Sequence, residues 1–207
     1  MTPGGHDPYC YPGTNILINL KEIRDSNALQ QFEAQSASTG IASLSLRPLT
    51  GPFNIARLRE THRRIFARVY SWAGEFRTGM GMMAKNRSGF TVAYGPSGNV
   101  PGALEGVFAK LKIEKDLRGL DAAPFVSRLA YFYSELDAIH PFREGNSRTL
   151  RAFTCDLAEA AGHTLDWSRL GPSPEARQRL YHARDLAVMR GDLSPLTEIV
   201  DDCLQSL

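Results

Sequence analysis

Apolar residues recur at helical intervals along most of this chain, and two such runs flank a single polar turn. Val126, Leu129, Tyr133, Leu136 and Ile139 share one face of a helix, and Leu150, Phe153 and Leu157 share a face of the next. Between them lies His140-Pro141-Phe142-Arg143-Glu144-Gly145-Asn146-Ser147-Arg148-Thr149-Leu150-Arg151, so the densest cluster of chemistry sits at a helix-to-helix junction. Asp121, with Pro124 in the first turn, opens the upstream helix. Gly162 closes the downstream one, which runs from Ser147 to about Ala161.

The same pattern predicts the other elements. Asp25-Ser26 caps a helix carrying Leu29, Phe32 and Ala37 that ends before Pro48. From Asn54, the residues Ile55, Leu58, His62, Ile65, Phe66, Val69 and Tyr70 hold helical spacing for four turns. Arg57, Arg59, Arg63, Arg64 and Arg68 occupy the rest of its surface, as a solvated face or, on a sharper reading, a docking surface for an acidic protein. Asn99-Val100-Pro101 opens a helix with Leu104, Val107, Phe108 and Leu111 on one face. Ser173-Pro174 starts another, which Gly191 ends, and Ser194-Pro195 starts the last, burying Leu196, Ile199, Val200, Cys203 and Leu207.

Two stretches break the helical rhythm. Thr14 to Asn19 has strand-like content without an evident partner, after an extended lead-in over residues 1–13 whose Tyr9 and Tyr11 dock on the body. Glycines at 79, 81, 89, 95 and 98 exclude a long helix. Gly89 to Tyr94 alternates, predicting a flap over residues 79–95 whose other arm lies around Met80 to Ala84. Its methionines Met80, Met82 and Met83 suit a surface that grips another chain. Gly79-Met80-Gly81 lacks the third glycine and following helix of a dinucleotide fingerprint. The expected fold is all-α: one domain over residues 1–207, a bundle of six to eight helices with a small β-hairpin flap.

Composition narrows the partners. With 207 residues, 43% of them hydrophobic, the chain can bury one sizeable core, and a net charge of +2 is too mild to argue for nucleic acid or an anionic membrane. Cys10, Cys155 and Cys203 stand far apart in no metal-binding spacing, which predicts free thiols and a cytoplasmic, reducing setting. No signal-peptide pattern and no run of 18 apolar residues is expected to direct it out of the cell or into a membrane.

The chemistry of the central turn points to phosphate. His140 can accept a proton near neutral pH, and Glu144 offers the hard oxygen that Mg²⁺ prefers when phosphate oxygens and water complete its shell. Gly145-Asn146-Ser147 precedes a helix, so backbone N–H groups and the helix dipole converge on an anion. Arg148 and Arg151, three apart, share one face beside that nest and repel each other unless an anionic guest or a partner carboxylate sits between them. A base, a metal carboxylate, an anion nest and two clamps describe transfer of a phosphate-bearing group to a hydroxyl.

This turn resembles the signature of Fic-domain proteins, His-Pro-Phe-x-(Asp/Glu)-Gly-Asn-(Gly/Lys)-Arg-x-x-Arg, departing from it at Ser147. Tyr11 to Leu17, Phe53 to His62, Tyr70 to Thr78 and Asp192 to Leu196 are similar to the bacterial Fic toxins of toxin–antitoxin pairs, so the resemblance covers nearly the whole chain. It implies a protein adenylyltransferase that moves AMP from ATP to a protein hydroxyl. By carry-over His140 is the base and Glu144 holds Mg²⁺. Gly145 and Asn146 form the anion hole, Ser147 joins them in the nucleotide-binding turn, Arg148 contacts the distal phosphates, and Arg151 orients the terminal one. The flap residues Met82, Met83, Ala84, Lys85 and Phe90 would dock the target by main-chain pairing. The resemblance further implies a type II topoisomerase, DNA gyrase or topoisomerase IV, as target.

Family members are inhibited by a helix bearing (Ser/Thr)-x-x-x-Glu-(Gly/Asn). Ser71 to Glu75 is followed here by Phe76, and Ser194 to Glu198 by Ile199, so neither completes that pattern. The resemblance therefore implies a separate small antitoxin whose glutamate meets Arg151. Three alternatives remain open: a Doc-like phosphotransferase, although Ser147 replaces the lysine of those relatives; a nucleotide-binding module that Ser147 has deprived of chemistry; and a zinc hydrolase using His140 and Glu144, which lacks a further ligand at suitable spacing.

Overall fold

The computed structural model describes residues 7–87 and 89–205. Asp25 accepts the Ala28 N–H at 2.8 Å and so caps the first helix, α1 (Ser26–Leu46). Asn54 caps α2 (Ile55–Phe66) in the same way, through the Arg57 N–H. The two helices touch where a side chain at Gly40 would come within 2.6 Å of the Arg64 carbonyl oxygen.

Helix α2 ends earlier than its spacing predicts. The Phe66 carbonyl accepts the N–H groups of both Val69 and Tyr70, and the Val69 carbonyl leaves the helical path to accept from Leu20. Val69 and Tyr70 are still buried, because this turn tucks them against Leu29, Ala37 and Ile65. On the arginine face Arg63 and Arg68 are exposed, as a solvated face requires, and Arg59 and Arg64 are half-buried, but Arg57 departs from it. Arg57 is buried, with Nε and Nη2 at 2.8 and 2.7 Å from Asp156 and further bonds to the carbonyls of Leu49 and Gly51. Arg59 pairs with Glu75, while Arg63 and Arg64 pair with Glu60. The chain's own carboxylates thus compensate most of the charge that an acidic partner would have met.

Thr14 to Asn19 forms one antiparallel bridge, Cys10 to Leu17, rather than a strand, and its partner is the lead-in itself. Tyr11 is buried, and Tyr9 meets Trp72 edge-on at 5.4 Å. Residues 1–6 of the expected lead-in lie outside the described residues.

The flap is an antiparallel hairpin of β1 (Met83–Arg87) and β2 (Phe90–Tyr94), with Met83 opposite Tyr94. Its first arm starts later than residues 80–84 because the Met80 carbonyl is held by the N–H of Ser97 at 3.1 Å, which pins the base of the hairpin. Met83 is buried with Val92 and Tyr94, so it is the flap's own core and not a gripping residue; Met82, at 60% exposure, is the methionine left outside.

The bundle is completed by α3 (Val100–Ile113), α4 (Ala122–Ile139), α5 (Asn146–Ala161), α6 (Pro174–Arg190) and α7 (Ser194–Cys203), making seven α-helices among the described residues. Helix α4 packs on α3, α5, α6 and α7. Its Phe125, Leu129, Phe132, Tyr133 and Leu136 share the main core with Phe142, Leu150 and Phe153. The expected apolar face of α7 is buried as far as Cys203, whereas Leu207 lies outside the described residues. A two-residue pair, β3 (Thr164–Leu165) with β4 (Leu204–Gln205), ties the exit of α5 to the end of α7. Among the described residues no helix is long and apolar enough to cross a membrane.

Candidate active site

Helix α4 ends on His140, which adopts the left-handed conformation (φ 49°) that a non-glycine residue rarely takes without support. The support is Arg77, only 1% exposed. Its Nε donates to the His140 carbonyl at 2.8 Å, its Nη2 to the Gly95 carbonyl at 2.7 Å, and its backbone N–H to the Pro141 carbonyl at 2.9 Å. One guanidinium therefore ties the central turn to the end of the flap. The His140 ring stacks on Tyr94 of β2, with centroids 3.9 Å apart.

From there the chain is closed into a tight turn. Asn146 Oδ1 accepts from the Phe142 N–H at 2.9 Å, and its Nδ2 donates to the Phe142 carbonyl at 2.7 Å. Asn146 is thus a staple across the turn, and only its backbone remains for an anion. Gly145 (φ +83°) must be glycine, since a Cβ there would lie 2.3 Å from the Phe66 ring. His62 supports the turn from α2. Gly74 N–H donates to its Nδ1 at 2.8 Å, so Nε2 carries the hydrogen and donates to the Glu144 carbonyl at 3.0 Å. The His62 ring also stacks on Phe142 at 3.8 Å. Burial brings its pKa down to about 4, in keeping with this neutral tautomer.

The start of α5 opens into a cavity of about 970 Å³ lined by His140, Glu144, Gly145, Asn146, Ser147, Arg148 and Arg151. Thr149 is the first residue of the helix whose N–H finds an intrahelical carbonyl, that of Gly145. Among the described residues the N–H groups of Asn146, Ser147 and Arg148 have no backbone partner, so the helix start presents free donors to the cavity. Ser147 is half-buried, and its hydroxyl makes no hydrogen bond among the described residues, so it can donate to a guest.

Glu144 stands at the rim. Burial pushes its carboxyl up, but Lys85 of β1 at 3.7 Å, the Gly145 N–H at 2.9 Å and Arg148 at 3.6 Å outweigh that and hold its pKa at about 2. Burial also dominates at His140, whose pKa falls to about 4, leaving the ring neutral and proton-accepting. Both ring nitrogens are covered and lack hydrogen-bond partners among the described residues.

The two arginines differ. Arg148 is compensated from within the chain: its Nη2 lies 2.5 Å from Oε1 of Glu33 on α1, and the Tyr70 hydroxyl donates to the same carboxylate. The pair is therefore not wholly uncompensated, as its spacing implied. Arg151 matches that expectation better, since its buried Nε has no hydrogen-bond partner among the described residues. Of the flap residues, Met82 and Ala84 are exposed, Lys85 and Phe90 half-buried, and Met83 buried.

The residues missed from the sequence are those that act at a distance. Glu33 carries no local signal. Arg77 and His62 lie in the segments that carry the family resemblance, and Asp137 stands three residues before His140 on the same helical face.

A family model described as the Fic/DOC family matches residues 52–158. The chain is 34% identical over 204 residues to the protein adenylyltransferase VbhT of Bartonella schoenbuchensis, covering 94% of this chain and 40% of that protein. It is thus less than half the length of that relative. It is 36% identical over 194 residues to the probable protein adenylyltransferase y4lH of Sinorhizobium fredii, covering 92% of each. The crystal structure of the Bartonella tribocorum effector BepC with bound AMPPNP superposes with a TM-score of 0.86 at 26% identity, covering 96% of this chain and 97% of that one.

Proposed function

The chain belongs to the Fic/DOC family, and from that premise we propose that it is a protein adenylyltransferase, moving AMP from ATP onto a hydroxyl of a target protein. The observation that carries this reading is the neutral imidazole of His140 lining the same cavity as the α5 start and an arginine whose Nε has no partner. The relatives named as adenylyltransferases and the AMPPNP bound by BepC support ATP as the nucleotide.

His140 Nε2 takes the proton of the target hydroxyl, and the oxygen's electron pair forms a bond to the α-phosphorus. The bond from that phosphorus to the bridging oxygen breaks, and pyrophosphate leaves with the electron pair. Arg148, Arg151 and the N–H groups of Asn146 and Ser147 hold the phosphates, and the Ser147 hydroxyl adds a donor. Because the His140 nitrogens are covered, the acceptor reaches Nε2 only when Tyr94 and the flap shift.

Magnesium fits the residues present: an ionised Glu144 stands beside the phosphate nest, and phosphate oxygens and water would complete the shell. Bound there, it would neutralise phosphate charge. Lys85 and Arg148 neutralise Glu144 in the meantime.

The target pairs with the flap edge, where Met82, Ala84, Lys85 and Phe90 present contacts. A bacterial type II topoisomerase is the proposed target, in the cytoplasm, with the protein acting as a toxin. A small antitoxin restrains it by placing a glutamate on Arg151. Intact-mass spectrometry of purified DNA gyrase and topoisomerase IV after incubation with ATP and Mg²⁺ tests this. One AMP adduct is expected with the wild type and none with His140→Ala; no adduct on either enzyme overturns the topoisomerase assignment.

A further inference from the structure

Asp137 and Arg184 form an ion pair at the centre of the molecule, 0% and 1% exposed, with Nε–Oδ2 at 3.0 Å and Nη2–Oδ1 at 2.5 Å. A buried pair of this kind is seldom the most stable filling for a core, since apolar residues of like volume often serve as well or better. Its position suggests another purpose. Oδ1 of Asp137 lies 3.7 Å from Nδ1 of His140, the ring nitrogen that faces away from the proton-transfer step assigned to Nε2.

We propose that Asp137, locked in place by Arg184, is the positioning residue of the base: it fixes His140 with its hydrogen on Nδ1 and steadies the imidazolium formed when Nε2 takes the acceptor's proton. This rests on the role of His140 set out above. Four observations carry it. Asp137 and His140 are i and i+3, so helix α4 itself brings them to one face. The left-handed backbone of His140 is held by Arg77, and its ring is held flat against Tyr94, which leaves little freedom for Nδ1 to seek another acceptor. Nδ1 has no other hydrogen-bond partner among the described residues. The 3.7 Å separation is longer than a hydrogen bond, as such contacts often are before a substrate closes the site.

The electrostatics agree. Burial alone would push the Asp137 carboxyl up, but the charge and hydrogen bonds of Arg184 and the nearby His140 ring hold it well below the usual range, so it stays ionised. The charged and titratable groups acting on His140 are Asp137 on its own helix, Arg184 from α6, Lys85 from β1, and Tyr94 of β2 against its face. Only Asp137 favours the imidazolium. Arg184 lies beyond residues 52–158, so α6 contributes to the base although the matched family segment ends before it.

The test is the tautomer of His140, read by ¹⁵N NMR at pH 7.5 on the full chain, with its resonances assigned by their loss in His140→Ala. The wild type should show hydrogen on Nδ1. In Asp137→Asn the amide oxygen keeps the bond from Arg184 Nε, while the N–H₂ takes the place of Oδ1 opposite Nδ1 and gives up the bond from Arg184 Nη2, so the hydrogen should move to Nε2. Label transfer should then fall by about two orders of magnitude or more, with ATP affinity unchanged. If Asp137→Asn fails to fold because Arg184 loses its counter-charge, Asp137→Asn/Arg184→Gln removes both charges and is read the same way. Hydrogen on Nε2 in the wild type, or a tautomer unmoved by the substitution, overturns the proposal. The NMR readout needs no acceptor protein, so a failure of the adenylyltransferase reading leaves it intact and distinguishable.

Discussion

Glu33 and Arg148, 115 residues apart in the chain, meet at 2.5 Å between Oε1 and Nη2. Glu33, Arg148 and Tyr70 line the same cavity, and the Tyr70 hydroxyl donates to the carboxylate, which occupies the guanidinium face turned to it. Glu33→Gln removes the competing charge and should tighten ATP binding about three- to tenfold, roughly 1 kcal/mol. Isothermal titration calorimetry reads this directly. Unchanged or weaker binding would instead assign Glu33 to holding Arg148 in place.

His62 fastens α2 to the catalytic turn through two hydrogen bonds and a ring stack on Phe142. His62→Ala leaves the Gly74 N–H and the Glu144 carbonyl unpaired and opens a cavity, at a cost of about 3 kcal/mol. For a chain of this length that lowers Tm by roughly 6–12 °C in a thermal scan. ATP affinity should fall with it, because Glu144 and the α5 start lose their seat.

Acid should weaken the fold through its two buried imidazoles. His62 and His140 have pKa values near 4 when folded, against 6.5 for the free side chain, so the unfolded chain binds protons first. Their stabilisation is complete above about pH 6.5 and is lost as pH falls towards 4, at about 3 kcal/mol for each group over the full window. Glu144, held at about 2 against 4.5, adds a further loss below pH 4.5. Urea denaturation at pH 7.5, 6 and 5 should give falling stability, with a shallower fall in His140→Ala. A constant stability across that range would contradict the assignment of both rings as buried and neutral.

The helices and the central turn were legible because their signals are local. The spacing of Leu129, Tyr133 and Leu136, the caps Asp25 and Asn54, and the stops Gly162 and Gly191 each act within a few residues. The end of α2 was not, because Val69 and Tyr70 keep helical spacing while their N–H groups share the Phe66 carbonyl. The burial of Arg57 was hidden for a different reason, since charge alone does not reveal that it reaches Asp156 on α5. Within the site, residue types picked out the turn whose His140 and α5 start line one cavity. What fixes them in place, Arg77 on the His140 carbonyl and Glu33 on Arg148, depends on contacts between distant segments.

The proposed reaction transfers the α-phosphorus of ATP with its adenosine. The protein is incubated with Mg²⁺ and target, once with ATP labelled at the α-phosphate and once with ATP labelled at the γ-phosphate. Label on protein from the α position only, lost in His140→Ala, is the predicted result. Label from the γ position only would make the enzyme a phosphotransferase and contradict it.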